Sequence, residues 1–439
     1  MKDCSRTLLT PFALLIAILC STVQVTSAQS GGRFFPAKDL MRIGVYYYPE
    51  HWPESQWERD FSKMEEMGFE FVHMAEFAWA NMEPEDGKFD FAWLDKAVQL
   101  AAKHKLRVIM CTPTPCPPAW LAESHPEIFL VRADGQRLEH GSRANNALAD
   151  PTYLRHCERV ITEMAKRYGR NPAIWGWQLD NEPNALPDYS PSAQRAFREW
   201  LNARYKTVDV LNREWGTAFW SLRYNSFDQI RIPNTNLLYG PSPHAVLDFK
   251  RFTADQTGKF LNWQVSLLRR HITPAQWITT NYIATIGSSD PRRSTDLDFT
   301  SFTLYPVSGG HNLGDDGFRL GWQHGLAFAT AFYRNIQGAT GVMELQPGQV
   351  NWARINPQPM PGAVRMWLWH AFAGGCSFAS PYRFRQPLYG SEQYHYGIVR
   401  TDGVTPSPGG LEYQQVAREM KELRAQYDPS AKPPSSYLA

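Results

Sequence analysis

The chain has 439 residues, with 45 Lys and Arg against 43 Asp and Glu and a formal net charge of +2. A near-neutral balance excludes the strongly basic face that a phosphate backbone demands, so no nucleic-acid partner is expected. The length suits one elaborated barrel or a few smaller domains, and 43% hydrophobic residues are enough for a sizeable core.

At the N-terminus, Lys2 and Arg6 precede an apolar run from 8 to 19, and Thr26-Ser27-Ala28 offers a small-residue cleavage site. Residues 1–28 therefore read as a secretory signal peptide. The run is interrupted by Thr10 and Pro11 and is too short for a membrane span. The mature chain is expected to be exported, periplasmic or secreted, with no membrane span. Of the six cysteines, Cys4 and Cys20 fall in that segment. Cys111, Cys116, Cys157 and Cys376 show no CxxC and no zinc-finger spacing, and read as unpaired thiols.

Short apolar runs then alternate with helical patterns. Strands are predicted over 42–48 (RIGVYYY), 71–77 (FVHMAEF), 107–111 (RVIMC) and 174–179 (IWGWQL). Four more follow over 277–283 (WITTNYI), 299–305 (FTSFTLY), 341–345 (GVMEL) and 376–384. Helices are predicted over 55–67, 91–103 with Asp90 as N-cap, 153–168, 192–205, 247–270, 322–335 and 364–373. Eight β–α units imply a parallel sheet, and eight strands close a (β/α)₈ TIM barrel. An open doubly wound sheet is the alternative, but its glycine-rich phosphate loop is missing from YYYPEHWP after the first strand. The expected plan is a single catalytic barrel over 29–428, with a Pro/Ser-rich tail over 429–439. The segment 206–245 reads as an irregular insertion over the barrel mouth.

Barrel enzymes carry their chemistry at the C-terminal ends of strands. The fourth strand runs into Asp180-Asn181-Glu182-Pro183, and the seventh ends at Glu344. Only the fold can bring these two glutamates together. Paired carboxylates are the equipment of glycoside hydrolysis: one protonates the leaving oxygen, the other attacks the anomeric carbon or activates water. Asn181 is placed to bond a sugar 2-hydroxyl, and Asp180 reads as loop support. The 16 Trp, 19 Tyr and 24 Phe suit both a large core and stacking against sugar rings.

Long stretches resemble the glycoside hydrolase family 42 β-galactosidases: GVYYYPEHWPESQWERD (44–60), AEFAWANMEPEDGKFDFAWLDKA (75–97), CTPTPCPPAWL (111–121), GWQLDNEP (176–183), MELQPGQVNW (343–352) and NPQPMPGAVRMWLWHAFAGG (356–375). The resemblance implies a retaining exo-enzyme acting on terminal β-galactosyl residues of oligosaccharide or polysaccharide ends, without a cofactor. Glu182 would be the acid/base, Glu344 the nucleophile and Asn181 the 2-hydroxyl contact. Trp352, Tyr305, Arg143, Glu392 and His395 would form the sugar pocket, with Glu76 bracing it and Trp79 lining it.

Four departures stand out. His73 occupies a position where the family usually has Arg, so the substrate pocket is expected to differ there. Pro183 replaces a common Tyr. The segment NALPDYSPSAQ (184–194) lacks the zinc-binding cysteines many members carry, and no metal is expected. The chain also stops soon after the barrel, where members usually continue into a trimer-building domain, so the resemblance implies no oligomeric state here. An α-L-arabinopyranosidase on the same scaffold and a non-catalytic glycan-binding barrel are the rival readings. A metal-dependent barrel hydrolase would need more histidines at strand ends.

Overall fold

The computed structural model describes residues 31–234, 236–284, 289–308, 314–353, 355–428 and 430. The predicted signal peptide and nearly all of the predicted tail lie outside the described residues.

The strands are β1 (Arg42–Tyr46), β2 (Phe71–Met74), β3 (Arg107–Cys111), β4 (Ile174–Gln178), β5 (Trp277–Thr279), β6 (Asn281–Ile283), β7 (Ser301–Leu304), β8 (Val342–Leu345) and β9 (Phe378–Pro381). They form one sheet in the order β5-β4-β3-β2-β1-β9-β8-β7-β6, every pair parallel. β5 pairs with β4, and β6 with β7. These two are halves of one extended segment broken at Thr280, so the ring closes through that residue as an eight-stranded parallel (β/α) barrel. The predicted fifth strand is thus split, the third has its predicted bounds, and the others are shortened at their ends.

The helices are α1 (Trp57–Glu66), α2 (Trp79–Met82), α3 (Ala92–Lys103), α4 (Ala119–Ser124), α5 (Pro151–Tyr168), α6 (Pro191–Tyr205), α7 (Val208–Trp215), α8 (Pro243–Arg269), α9 (Gly314–Leu320), α10 (Gln323–Gln337), α11 (Ala363–Ala373) and α12 (Pro408–Ala425). Asp-Pro and Ser-Pro pairs start four of them, and in three the side chain caps the helix. Asp150, Ser190 and Ser407 each accept a hydrogen bond from a first-turn N–H, with proline at N1. Asp90, the predicted cap, lies one residue before the observed N-cap Phe91 and accepts from Ala92 N–H at 2.9 Å.

Two regions differ from expectation. The segment 206–245 is not wholly irregular: Thr207 caps α7 and Gly216 ends it in a left-handed turn. Leu211, Trp215, Ile230 and Ile232 pack with Phe197, Leu201, Phe249 and Phe252 of α6 and α8 in a satellite core. Helix α12 had no sequence prediction. It packs on α11, and Arg424 near its end bonds Glu70 and the Met41 carbonyl, tying it to the base of β1 and β2. Between β6 and β7, a single 3₁₀ turn (Pro291–Arg293) replaces the α-helix among the described residues.

The barrel interior is layered. Phe71, Ile109, Trp175, Trp277, Phe299 and Phe378 fill the lower end. Gly44 and Gly176 give these rings room, since a Cβ there would lie 2.2 Å from Phe71 and 2.1 Å from Trp277. β1 alternates as a regular strand: Ile43, Val45 and Tyr47 join the outer packing, Tyr46 and Tyr48 the inner. β4 does not. Its register with β3 shifts between Val108 and Ile109: Ile174 faces Val108 and Gly176 faces Ile109, so Trp175 is the extra residue and stays inside while Trp177 packs outside. β8 shifts likewise between Val342 and Leu345, which both pack outside while Met343 packs inside. Both glutamate-bearing strands therefore bulge, which re-aims the residues that follow.

Candidate active site

The upper layer is polar. Tyr46 of β1, Gln178 of β4, Asn281 of β6 and Thr303 of β7 are buried, and Thr303 lines a cavity of about 310 Å³. Glu76, Arg143, Glu182, Tyr305, Glu344, Trp352, Tyr382 and Glu392 are among its walls. The two glutamates predicted as a pair thus share one cavity.

Asp180 and Glu182 both hold left-handed backbones, with φ of 53° and 45°. Such non-glycine conformations persist only where surrounding bonds fix them. Here Thr112 Oγ1 accepts from Asp180 N–H at 2.8 Å, Thr114 donates to Asp180 Oδ2 at 2.8 Å, and Asn181 N–H donates to Oδ1 at 2.7 Å. Asp180 is loop support, as its neighbours require. The following segment, 184–194, is fastened by Asp188, which accepts from Val131 N–H at 3.0 Å and Ser190 N–H at 2.8 Å.

Glu344 is held by donors. Tyr305 Oη donates to Oε2 at 2.6 Å and Asn281 Nδ2 to Oε1 at 2.7 Å. Glu182 accepts from Arg143 Nη2 at 3.0 Å, and its backbone N–H donates to Asn281 Oδ1 at 2.8 Å. An amide's O and N are told apart by their partners. Those of Asn181 place its nitrogen 2.9 Å from Glu76 Oε1 and 3.2 Å from Glu344 Oε1, with its oxygen on Arg143.

Burial pushes the Glu182 carboxyl up, against the Arg143 guanidinium. Burial and the neighbouring Glu182 and Glu76 push Glu344 well up, against Tyr305 and Arg143. Like charges in a shared low-dielectric site favour one retained proton between them. Neutral donors on both Glu344 oxygens favour its anion, and the Arg143 guanidinium favours that of Glu182.

The other predicted residues divide. Trp352 stands half exposed on the rim, edge-on to Tyr305 at 4.7 Å. Glu392 accepts from Tyr382 Oη. His395 is fully buried among Tyr305, Trp352 and Tyr382. Burial lowers its pKa to about 4. Its Nδ1–H donates to the Tyr396 carbonyl at 3.0 Å, so Nε2 is an acceptor, and it has no partner among the described residues.

Trp79 does not line the cavity as expected: it is fully buried in the outer core, its indole N–H donating to Glu83 at 2.9 Å. Nor does His73 form part of the cavity wall. It stacks on Tyr46 at 3.9 Å beneath the cavity, and burial lowers its pKa to about 3.

Sequence analysis missed Asn281, Gln178, Tyr48 and Tyr382. A polar side chain near the end of a barrel strand was the available signal for the first two. Among the described residues, the ligand atoms of His73, Glu76 and Cys111 lie within 4.8 Å of one another. Glu76 is already engaged by Tyr48 and Gln178, and Cys111 Sγ donates to the Asp180 carbonyl at 3.3 Å, so no metal is assigned there. All four described cysteines are free.

A parallel barrel with buried glutamates at the ends of two bulged strands, under an aromatic rim, is the architecture of carbohydrate-active barrels. Residues 46–423 match the family model described as Glyco_hydro_42, beta-galactosidase, and the chain belongs to that family. It is 40% identical over 401 residues to beta-galactosidase BgaA of Thermus sp, covering 87% of this chain and 60% of the relative. It is 38% identical over 393 residues to beta-galactosidase BgaH of Haloferax lucentense, covering 87% and 59%. Among solved structures, the beta-galactosidase of the psychrophilic Marinomonas ef1 superposes with a TM-score of 0.84 at 38% identity, covering 88% of this chain and 60% of that one. The chain thus spans about 60% of the length of these relatives.

Proposed function

We propose that the chain is a retaining exo-glycosidase that removes terminal β-D-galactosyl residues. Glu182 acts as acid/base and Glu344 as nucleophile. The observation that carries this reading is the contrast between the two buried glutamates of one cavity: Tyr305 and Asn281 donate to both oxygens of Glu344, while Glu182 lies beside a single guanidinium. The relatives' names supply the sugar.

In the first step a Glu344 oxygen bonds to the anomeric carbon as the bond to the leaving oxygen breaks, and Glu182 gives that oxygen its proton. In the second, Glu182 takes a proton from water, whose oxygen displaces Glu344 from the sugar. Arg143 and the Asn181 amide hold the charge balance between the carboxyls. The acceptor Nε2 of His395 and the carboxylate of Glu392 take sugar hydroxyls, and a misplaced hydroxyl would leave them unpaired. Trp352 offers its face to the ring.

The test is release of p-nitrophenol from its β-D-galactopyranoside by the wild type and by Glu344→Ala, with and without azide. Activity in the wild type, its loss in the variant, and an inverted glycosyl azide on rescue are expected. An inert wild type removes the galactoside assignment, and turnover of the α-L-arabinopyranoside instead moves the substrate to that sugar. Binding of galactosides without release of sugar by either substrate would make the barrel a glycan-binding one.

A further inference from the structure

Gln178 is fully buried, is not one of the residues that line the cavity, and takes no part in the two steps above. The bulge in β4 brings it into the barrel. Regular alternation from the inward Trp175 would turn Trp177 inward and Gln178 outward. The extra residue reverses that parity, so Trp177 packs outside and Gln178 meets the inner Tyr46.

Its amide has one orientation. Nε2 lies 3.0 Å from the Asp180 carbonyl, 3.0 Å from Glu76 Oε1 and 3.1 Å from Asn281 Oδ1, and these acceptors share its two hydrogens. A backbone carbonyl only accepts, so the atom facing it is the nitrogen. Oε1 then accepts from Tyr46 Oη at 3.0 Å. The same rule orients Asn281. The Glu182 N–H only donates, so the atom it meets at 2.8 Å is Oδ1, and Nδ2 is left to face Glu344 Oε1 at 2.7 Å. Donors from Glu182 and Gln178 thus converge on Asn281 Oδ1. Turning this amide over would point its NH₂ at both donors and its oxygen at the Glu344 carboxylate. Hydrogen bonds in series also polarise one another, so donors on Oδ1 strengthen the bond that Nδ2 gives to Glu344.

We propose that Gln178 is a positioning residue of the reaction, which acts through Asn281 by locking that amide in the orientation that supports the Glu344 carboxylate. The line Tyr46–Gln178–Asn281–Glu344 runs from β1 through β4 and β6 to β8. The bonds to the Asp180 carbonyl and to Glu76 orient Gln178 itself.

The role rests on the glycosidase reading, and a double-mutant cycle on an aryl β-galactoside tests it. Gln178→Met keeps the length of the side chain and removes its donors and its acceptor. It is expected to lower kcat about 30-fold and to leave KM within about threefold, because Gln178 does not line the cavity while Glu344 acts in the chemical step. In the Asn281→Ala background the same substitution is expected to lower kcat by no more than about threefold, since the group it acts through is already gone. A role in the fold alone would lower kcat by the same factor in both backgrounds, as would a smaller share of folded protein. Equal factors in the two backgrounds overturn the proposal, and so does a loss confined to KM. If Gln178→Met does not fold, Tyr46→Phe, which takes the donor from Gln178 Oε1, is read in the same cycle. A fall in kcat of about fivefold that disappears in Asn281→Ala is then expected, and an unchanged kcat or equal factors overturn the proposal. A wild type that cleaves no glycoside removes the glycosidase reading and this role together, whereas an active wild type with equal factors removes this role alone.

Discussion

Asn281 donates to Glu344 Oε1 at 2.7 Å while its own oxygen accepts from Glu182 N–H at 2.8 Å. One amide on β6 thus spans the two glutamates, setting the side chain of one and the backbone of the other. Hydrogen bonds to charged groups contribute about 1.5–3 kcal/mol each. Asn281→Ala is expected to lower kcat/KM by about 10–100-fold, with kcat carrying most of the loss. Steady-state kinetics check this, and a change confined to KM would reject the bridge.

Tyr305 donates to Glu344 Oε2 and lowers the proton affinity of that carboxyl. Removing the hydroxyl raises it. Tyr305→Phe should therefore move the acid limb of the kcat/KM profile to higher pH, since a larger share of Glu344 is protonated at a given pH. A pH–rate profile of both proteins decides.

Glu50 Oε2 is buried without a partner among the described residues, and burial raises its carboxyl to about 7. A carboxyl raised on folding stabilises the native state only while it is protonated. Its contribution is lost as pH climbs from the unfolded value, near 4, through 7. Glu50→Gln should therefore melt about 2–4 °C above the wild type at about pH 9, with the gap largely closed by about pH 5. Equal gaps at both pH values would count against this ionisation.

Gly176 follows the extra residue of the bulge in β4, and a Cβ there would enter the Trp277 ring at 2.1 Å. Gly176→Ala is expected to destabilise the fold by about 3 kcal/mol, because neither the ring nor the strand has room to yield. Chemical denaturation would show it, and an unchanged midpoint would mean the lower aromatic layer is looser than described.

Trp352 is half exposed and packs against the rings of Tyr305 and His395. If its role is to stack on the sugar in ground and transition states alike, Trp352→Ala raises KM about tenfold and leaves kcat near its original value. A fall in kcat of that size would instead place it among groups that act in the transition state.

The period of apolar runs in the sequence determined the parallel barrel, because eight strands buried on both faces read as short hydrophobic blocks whatever surrounds them. Strand ends marked Glu182 and Glu344, because such ends face the barrel mouth. Helix α12 was missed although Tyr413, Val416, Ala417 and Met420 keep helical spacing, because its first buried positions are Gly409 and Gly410, which carry no apolar side chain. Trp79 and His73 could not be placed from their position on or near β2, because burial depth depends on what packs opposite. Trp79 is taken by the outer core and His73 by the ring of Tyr46. The bulges in β4 and β8 and the left-handed backbones at Ala75, Asp180 and Glu182 leave no periodic mark. Only the tertiary structure decided that Asn281, Tyr305 and Arg143 converge on two glutamates far apart in the chain, since those partners come from different strands and loops and meet through ring closure alone.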